Sequence, residues 1–479
     1  MQANLPPSSR MPSLLQTIGW WLRPLGFLER MRARHGTPFT MKLSGQGKFV
    51  VFTEPHEIKA LLTAPPEVLH PGEGASILEP VVGPNSVILL DEESHMEQRK
   101  LLLPAFHGDR MQRLTGLMAE LADRELDRWP TGQPVELHPR LQALTLEIIL
   151  RAVFGLDEGP RLDRLRALMP QILTFGESPV SLMPPLQRLM RGRGRFGRFE
   201  RDRAQADVEL YALIEERRRE GGERDDVLAM LLGARHSDGS PMSDTEIRDE
   251  LMTALVAGHE TTASSLGFAF EQLARSPEIA ERLAGDDDAY LDATINEVLR
   301  RRPVLLIPEP RLVKRPFELG GITYEPGIVL TAGAYLVHHD PAIYPDPYAF
   351  KPERFLERKP GTYTFLPFGG GRRRCLGASF AQLEMRIVLR EAARRFTVAA
   401  AGPRTAPARR MITITPGDGA RVVLHARRKA RTDSGTKTSS RPASQASVPS
   451  SGVETSPEPI ISARAASTAS VIGLTSAND

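Results

Sequence analysis

The chain has 479 residues, 41% of them apolar, and a formal net charge of +3. That length and apolar content supply a large core, and a charge so close to balance excludes the strongly basic surface of a nucleic-acid-binding protein. A single cysteine in the whole chain excludes an internal disulfide and any cluster held by several thiolates.

The first feature in chain order is an apolar run from Leu14 to Leu28, broken by Arg23-Pro24. It is too short to span a bilayer and lacks a signal-peptide layout with a cleavage site. An amphipathic segment packed on the body is expected, in a soluble, cytoplasmic protein. Residues Phe39 to Phe52 alternate around Gly45-Gln46-Gly47, which predicts a hairpin. Ser94 to Leu101 predict a helix in which His95 and Arg99, four apart, share a face. From Met111 to Arg300 helical patterns dominate. Within them Gly192-Arg193-Gly194-Arg195-Phe196-Gly197 satisfies the G-x-G-x-x-G spacing. Leu186 to Arg191 before it look helical and the glycines sit among arginines, so the reading is a loop between helices, not a nucleotide site. The arginine runs at Arg191 to Arg203 and Arg217 to Arg219 have acidic residues interspersed and read as solvated helix faces.

A long helix is predicted from Ser243, with Glu246 as its capping-box partner, to Arg275 before Ser276-Pro277. Its middle carries Ala257-Gly258-His259-Glu260-Thr261-Thr262, flanked by Leu255, Val256, Ala263 and Leu266. Glycine costs about 1 kcal/mol relative to alanine inside a helix, and a buried carboxylate is expensive unless partnered. Such violations of local rules are expected at functional sites. Glu297 and Arg300 form an i,i+3 pair, followed by the apolar Pro303-Val304-Leu305-Leu306-Ile307-Pro308 and by Pro310-Arg311. Phe317 to Leu330 read as short strands broken by Gly320-Gly321 and Pro326-Gly327. The adjacent His338 and His339 receive no role. Phe350-Lys351-Pro352-Glu353-Arg354-Phe355 precedes the segment holding the lone cysteine, Phe368-Gly369-Gly370-Gly371-Arg372-Arg373-Arg374-Cys375-Leu376-Gly377. A helix is predicted from Ala378 to Phe396. Helix N-terminus and guanidinium groups favour a thiolate, and glycines let backbone N–H groups approach the sulfur. Cys375 thus reads as a metal ligand or a nucleophile. From Lys429 to Asp479 the chain is rich in Ser, Ala, Thr and Pro without aromatics, a disordered tail by composition.

The segment Phe-x-x-Gly-x-Arg-x-Cys-x-Gly resembles the haem-binding loop of cytochromes P450, matched here by Phe368, Arg373, Cys375 and Gly377. The resemblance runs over roughly residues 35–425 and carries several implications. The fold would be mainly α with a small β-rich subdomain, one large domain over residues 1–428. The cofactor would be haem b (iron protoporphyrin IX), with the Cys375 thiolate as its iron ligand. Ala257 to Thr262 is similar to the oxygen-activation site of the distal helix, in which a groove beside Gly258 makes room for O₂ and Glu260 and Thr261 relay protons. Glu297, Arg300 and Arg354 would form a buried structural triad. His95, Arg99, Arg311 and Arg373 would neutralise the haem propionates.

The activity implied is a haem-thiolate monooxygenase inserting one atom of O₂ into an apolar substrate, with a lean towards fatty acids or terpenoids. No flavin or iron–sulfur module follows, so electrons would come from an external ferredoxin and an NAD(P)H-dependent ferredoxin reductase. Arg372, Arg374, Arg386, Arg390, Arg394 and Lys100 would give the docking face its positive charge. The alternatives are a peroxide-using or isomerising member of the same fold and, from another class, a non-catalytic haem protein.

Overall fold

A computed structural model describes residues 5–106, 109–174, 192–221, 224–404 and 406–427. The chain divides into one unit over Met1–Arg428 and another over Lys429–Asp479. The tail from Lys429 lies outside the described residues, as do Leu186 to Arg191.

Helices dominate the first unit. They include α1 (Ser13–Leu22), α2 (Glu92–Leu102), α3 (Asp109–Leu126), α4 (Leu137–Ala152), α5 (Pro160–Thr174), α6 (Gly194–Glu220), α7 (Asp244–Leu273), α8 (Asp288–Arg301) and α9 (Ala378–Arg395). α7 is the axis of the molecule, about 45 Å long at the usual rise per residue. Its start is fixed by a capping box. Ser243 Oγ accepts the Glu246 N–H at 3.2 Å, and Glu246 Oε2 accepts the Ser243 N–H at 2.7 Å. α7 packs along α4 and also meets α6, α8 and α9. Leu255, Ala263 and Leu266 of α7 and Leu144, Ile148 and Ile149 of α4 are buried in one continuous core.

The strands form small sheets. β1 (Phe39–Leu43), β2 (Gly47–Phe52), β3 (Leu69–His70), β5 (Arg311–Val313) and β8 (Val329–Ala332) make a five-stranded sheet in the order β1-β2-β8-β5-β3. β1 and β2 are the predicted hairpin, with Leu43 opposite Gly47. Gly45 and Gly47 take φ of 77° and 97°, a region open to glycine at no steric cost. β6 (Phe317–Leu319) and β7 (Ile322–Tyr324) pair across Gly320-Gly321. β4 (Pro134–Glu136), β12 (Arg421–Ala426) and β9 (Phe396–Ala400) form a three-stranded sheet. The hairpin of β10 (Ala408–Arg410) and β11 (Thr413–Thr415) stands beside α1 and α7.

One sequence reading changes. Gly194 and Gly197 are not in a loop: they belong to the first turn of α6. A Cβ on Gly197 would lie 2.4 Å from the Gly192 carbonyl carbon, so that glycine is required by the tight entry of the chain into the helix. At the N-terminus, α1 ends at Leu22 and a second helix starts at Pro24. Among the described residues, no helix is long and apolar enough to cross a membrane.

Candidate active site

One cavity of about 1030 Å³ opens inside the helical body. One wall is the cysteine loop, through Phe368, Gly369, Arg373, Cys375 and Leu376. Another is the middle of α7, through Ala257, Gly258, Glu260 and Thr261. Leu299, Val304, Leu305, Ile307 and Pro308 add an apolar side, so the stretch after α8 lies on the cavity.

The loop is shaped by backbone. The Cys375 N–H donates to the Phe368 carbonyl at 3.0 Å, closing it, and Gly377 leads directly into α9. Gly369 has φ +66, and a Cβ there would lie 1.8 Å from Glu309 Oε1, so no other residue fits. The accessible surface of Cys375 faces the interior cavity. Burial pushes the thiol's pKa up, against the opposing pull of the Gly377 N–H and of Arg99 and Arg374. The sequence reading had the helix N-terminus and the guanidinium groups favouring a thiolate. In this site desolvation wins, and a coordinated cation is what makes such a sulfur a thiolate.

Cations gather beside the loop. His95 and Arg99 share a face of α2 and both line the cavity with Arg373. Burial and the charges of Arg373, Arg99 and Arg311 hold His95 down at about 3, so its ring is neutral at physiological pH. Arg99 Nη2 donates to the Arg374 carbonyl at 2.7 Å. Arg311 is buried next to His95 and Arg373, with its own carboxylate, Glu309, at 2.9 Å. Arg373 pairs with Asp91 at 2.7 Å. Glu309 and Asp91 escaped the sequence reading: Asp91 is brought beside Arg373 only by the fold, and Glu309, two positions from Arg311, matched no motif. Glu309 also accepts the Gly370 N–H at 3.2 Å, and burial raises its pKa.

On α7, the Thr261 hydroxyl donates to the Ala257 carbonyl at 2.5 Å, on the cavity side of the helix. The side of Gly258 is partly filled, since a Cβ there would lie 2.9 Å from Ile149 Cδ1. The glycine therefore also sets how closely α4 approaches. Glu260 is not a free acid. Its carboxylate accepts from Gln142 Nε2 at 2.6 Å and Ser264 Oγ at 3.1 Å, and pairs with Arg410 at 3.2 Å and His138 at 3.5 Å. Among the described residues, the Thr262 hydroxyl and His259 Nδ1 are buried without hydrogen-bond partners.

Glu297, Arg300 and Arg354 meet in the core. Glu297 and Arg300 are fully buried and doubly bonded, at 2.7 and 2.9 Å, and Arg354 Nε reaches Glu297 at 3.1 Å. Arg300 Nη1 also donates to the His338 carbonyl at 2.6 Å. His338, given no role from sequence, is a structural link. Its Nδ1 faces the Arg300 carbonyl at 3.1 Å and its Nε2 accepts the Leu366 N–H at 2.8 Å. It thereby ties the end of α8 to the start of the cysteine loop. Burial and Arg300 hold it down at about 3, which keeps it neutral.

The expected basic face is smaller than its sequence pattern. On α9, Arg386 pairs with Asp292 at 2.8 Å, Arg390 with Asp288 at 2.5 Å and Arg394 with Asp286 at 2.6 Å. The acids belong to α8 and the residues before it, so this stripe is largely neutralised. Arg372, Arg374 and Lys100 are exposed and, among the described residues, have no carboxylate within ion-pair distance.

Comparison with known proteins decides the family. A family model, Cytochrome P450, matches residues 5–417. The chain is 37% identical over 441 residues to cytochrome P450 135B1 of Mycobacterium tuberculosis, covering 89% of this chain and 92% of the relative. The chain belongs to the cytochrome P450 family. It is also 38% identical to cytochrome P450 138 of Mycobacterium tuberculosis, over 88% of this chain and 97% of that protein. Among solved structures it resembles cyanobacterial CYP120A1 with retinoic acid bound, with a TM-score of 0.79, 26% identity and coverage of 89% of this chain and 100% of that one. The protein is accordingly an oxidoreductase, a monooxygenase with haem b as cofactor. The donor set fits that group. A sulfur faces the cavity from a closed loop, and Arg99 and Arg373 border the same cavity with Arg311 beside them.

Proposed function

We propose that Cys375 is the proximal iron ligand, and that this cytochrome P450 inserts one atom of O₂ into an apolar organic substrate. The observation that carries the reading is the placement of the chain's single sulfur on the same cavity as the alcohol-bearing middle of α7. Haem bound through a thiolate supplies O₂ activation and O–O cleavage. Arg99, Arg311, Arg373 and neutral His95 would hold its propionates, the guanidinium groups by forked hydrogen bonds and His95 through an N–H. Glu309 and Asp91 would keep Arg311 and Arg373 oriented. Phe368 and Gly377 would shape the loop around the sulfur. Glu297, Arg300 and Arg354 would hold α8 against the segment leading into that loop.

On the distal side Thr261 would pass a proton from its Oγ. In the structure that hydroxyl is parked on the Ala257 carbonyl, so relay requires its rotation towards the cavity. Glu260 would supply the proton behind it once its clamp loosens. The apolar wall from Leu299 to Pro308 supports an apolar substrate, since such walls set ligand class. The largely hydrocarbon ligand of CYP120A1 supports the same class, of fatty-acid or terpenoid type. Electrons would come from a separate ferredoxin and its NAD(P)H-dependent reductase, in the cytoplasm.

The test is spectroscopic first. The reduced CO complex shows the red-shifted Soret band of thiolate haem, and Cys375→Ala loses it; an unchanged spectrum overturns the assignment. Thr261→Ala keeps haem and substrate binding but diverts most reducing equivalents to hydrogen peroxide. Tight coupling in that variant would move the relay to Thr262 or to water.

A further inference from the structure

Arg409 lines the cavity, and the monooxygenase reading leaves its chemistry unused. It sits in β10, and successive strand residues point to opposite faces. Arg410 accordingly turns to Glu260, whereas Arg409 stacks over the rings of Trp20, at 4.2 Å, and Trp21, at 5.8 Å. Its Nε donates to the Met411 carbonyl at 2.9 Å. That bond fixes the guanidinium plane by one edge and leaves the Nη fork open. Among the described residues the fork has no hydrogen-bond partner and no carboxylate pairs with Arg409. Met411, Ile412, Trp20, Leu43 and Phe49 line the same cavity around it. Burial pushes its pKa down to about 9, so the group remains cationic at neutral pH.

A cation held largely out of water without a counter-ion is costly, and two other guanidinium groups beside this cavity have one: Arg311 has Glu309 and Arg373 has Asp91. Stacking on two indoles holds Arg409 in place but supplies no negative charge. A planar fork fixed by its third nitrogen and facing an apolar cavity is the geometry that recognises a carboxylate.

We propose that Arg409 is a substrate anchor, and that the substrate is an apolar monocarboxylic acid whose carboxylate lies on the Arg409 fork while its hydrocarbon fills the cavity. The proposal rests on the cavity being the substrate site of the cytochrome P450. It narrows the substrate class from apolar compounds in general to acids with one charged end. Trp20 and Trp21 are positioning residues in it, holding the guanidinium plane towards the cavity.

The experiment uses the haem-loaded full-length protein. Dodecanoic acid, hexadecanoic acid and abietic acid are each titrated against their methyl esters. Binding is followed by the Soret shift and, independently, by quenching of tryptophan fluorescence. At least one acid is expected to bind about tenfold or more tighter than its ester, as one charge-assisted pair supplies. Arg409→Gln should abolish that preference by weakening the acid alone, and Arg409→Lys should restore part of it. A purely structural role in seating α1 would weaken acid and ester alike. If the wild type shows the thiolate CO band yet no acid outbinds its ester, or if the preference survives in Arg409→Gln, the anchor is refuted and the haem-site reading stands. Absence of that band in the wild type refutes the haem-site reading instead.

Discussion

Glu260 is buried among groups that oppose one another. Burial by itself would raise its pKa, but the hydrogen bond and charge of His138, with Arg410 behind them, outweigh it and hold the carboxyl down at about 2. The folded-state value lies below the ordinary carboxylate value, so the clamp stabilises the protein above about pH 4.5 and that contribution is lost as pH falls towards 2. The same clamp makes Glu260 a poor proton carrier at neutral pH, since protonating it there costs several kcal/mol. On the proposed relay, Glu260→Gln slows oxygen-dependent turnover by about a hundredfold. Arg410→Gln should act the other way on the proton step. It lifts the Glu260 pKa, so the solvent isotope effect on turnover shrinks relative to wild type. An isotope effect that grows in both variants would mean that Arg410 aims Glu260 and does not restrain it.

The elements differ in how much of their surroundings the sequence discloses. α7 and α9 were readable because caps, helical periodicity and proline stops are local signals. So were Gly258 and Cys375, because each stands in a contiguous motif. The far face of α9 was not. Periodicity shows that Arg386, Arg390 and Arg394 share a face, but their acids, Asp292, Asp288 and Asp286, come from a region about a hundred positions earlier and are placed by packing alone. Glu384 of the same helix was equally hidden. It is buried and, among the described residues, neither carboxylate oxygen has a hydrogen-bond partner; burial raises its pKa well above the usual range. A carboxyl whose pKa is raised on folding costs stability increasingly as pH rises above about 4.5, because the unfolded chain releases that proton first. Glu384→Gln keeps the shape and removes the titration. Its melting temperature should match wild type near pH 4.5 and exceed it by a margin that widens towards pH 8. A constant difference across that range would show that Glu384 is not protonated in the folded protein.

At the scale of the whole molecule, long-range pairing decides which charges remain available to a partner. Motif spacing located Arg99, Arg311 and Arg373, yet Asp91 and His138 had no sequence signal, since each acts through a residue far along the chain, and Glu309, two positions from Arg311, matched no motif. The proximal surface follows the same rule. Of the six cations that sequence places there, the three on α9 are paired, leaving Arg372, Arg374 and Lys100 around the cysteine loop. Paired charges cancel beyond a few ångströms, whereas unpaired ones attract an acidic partner over about a Debye length, roughly 10 Å at 0.1 M salt. Docking of a small acidic ferredoxin should therefore depend on the loop and not on the helix. Arg372→Glu and Arg374→Glu, each with the CO spectrum and substrate affinity of wild type, should slow the first electron transfer about tenfold at low ionic strength, with the deficit shrinking as salt is added. Arg390→Gln should leave that rate within about twofold of wild type, because its charge is already matched by Asp288. Stopped-flow reduction under CO measures all three. Equal losses at Arg372 and Arg390 would mean that the ferredoxin opens the α8–α9 ion pairs on docking, and indifference to every change and to salt would put the docking face elsewhere.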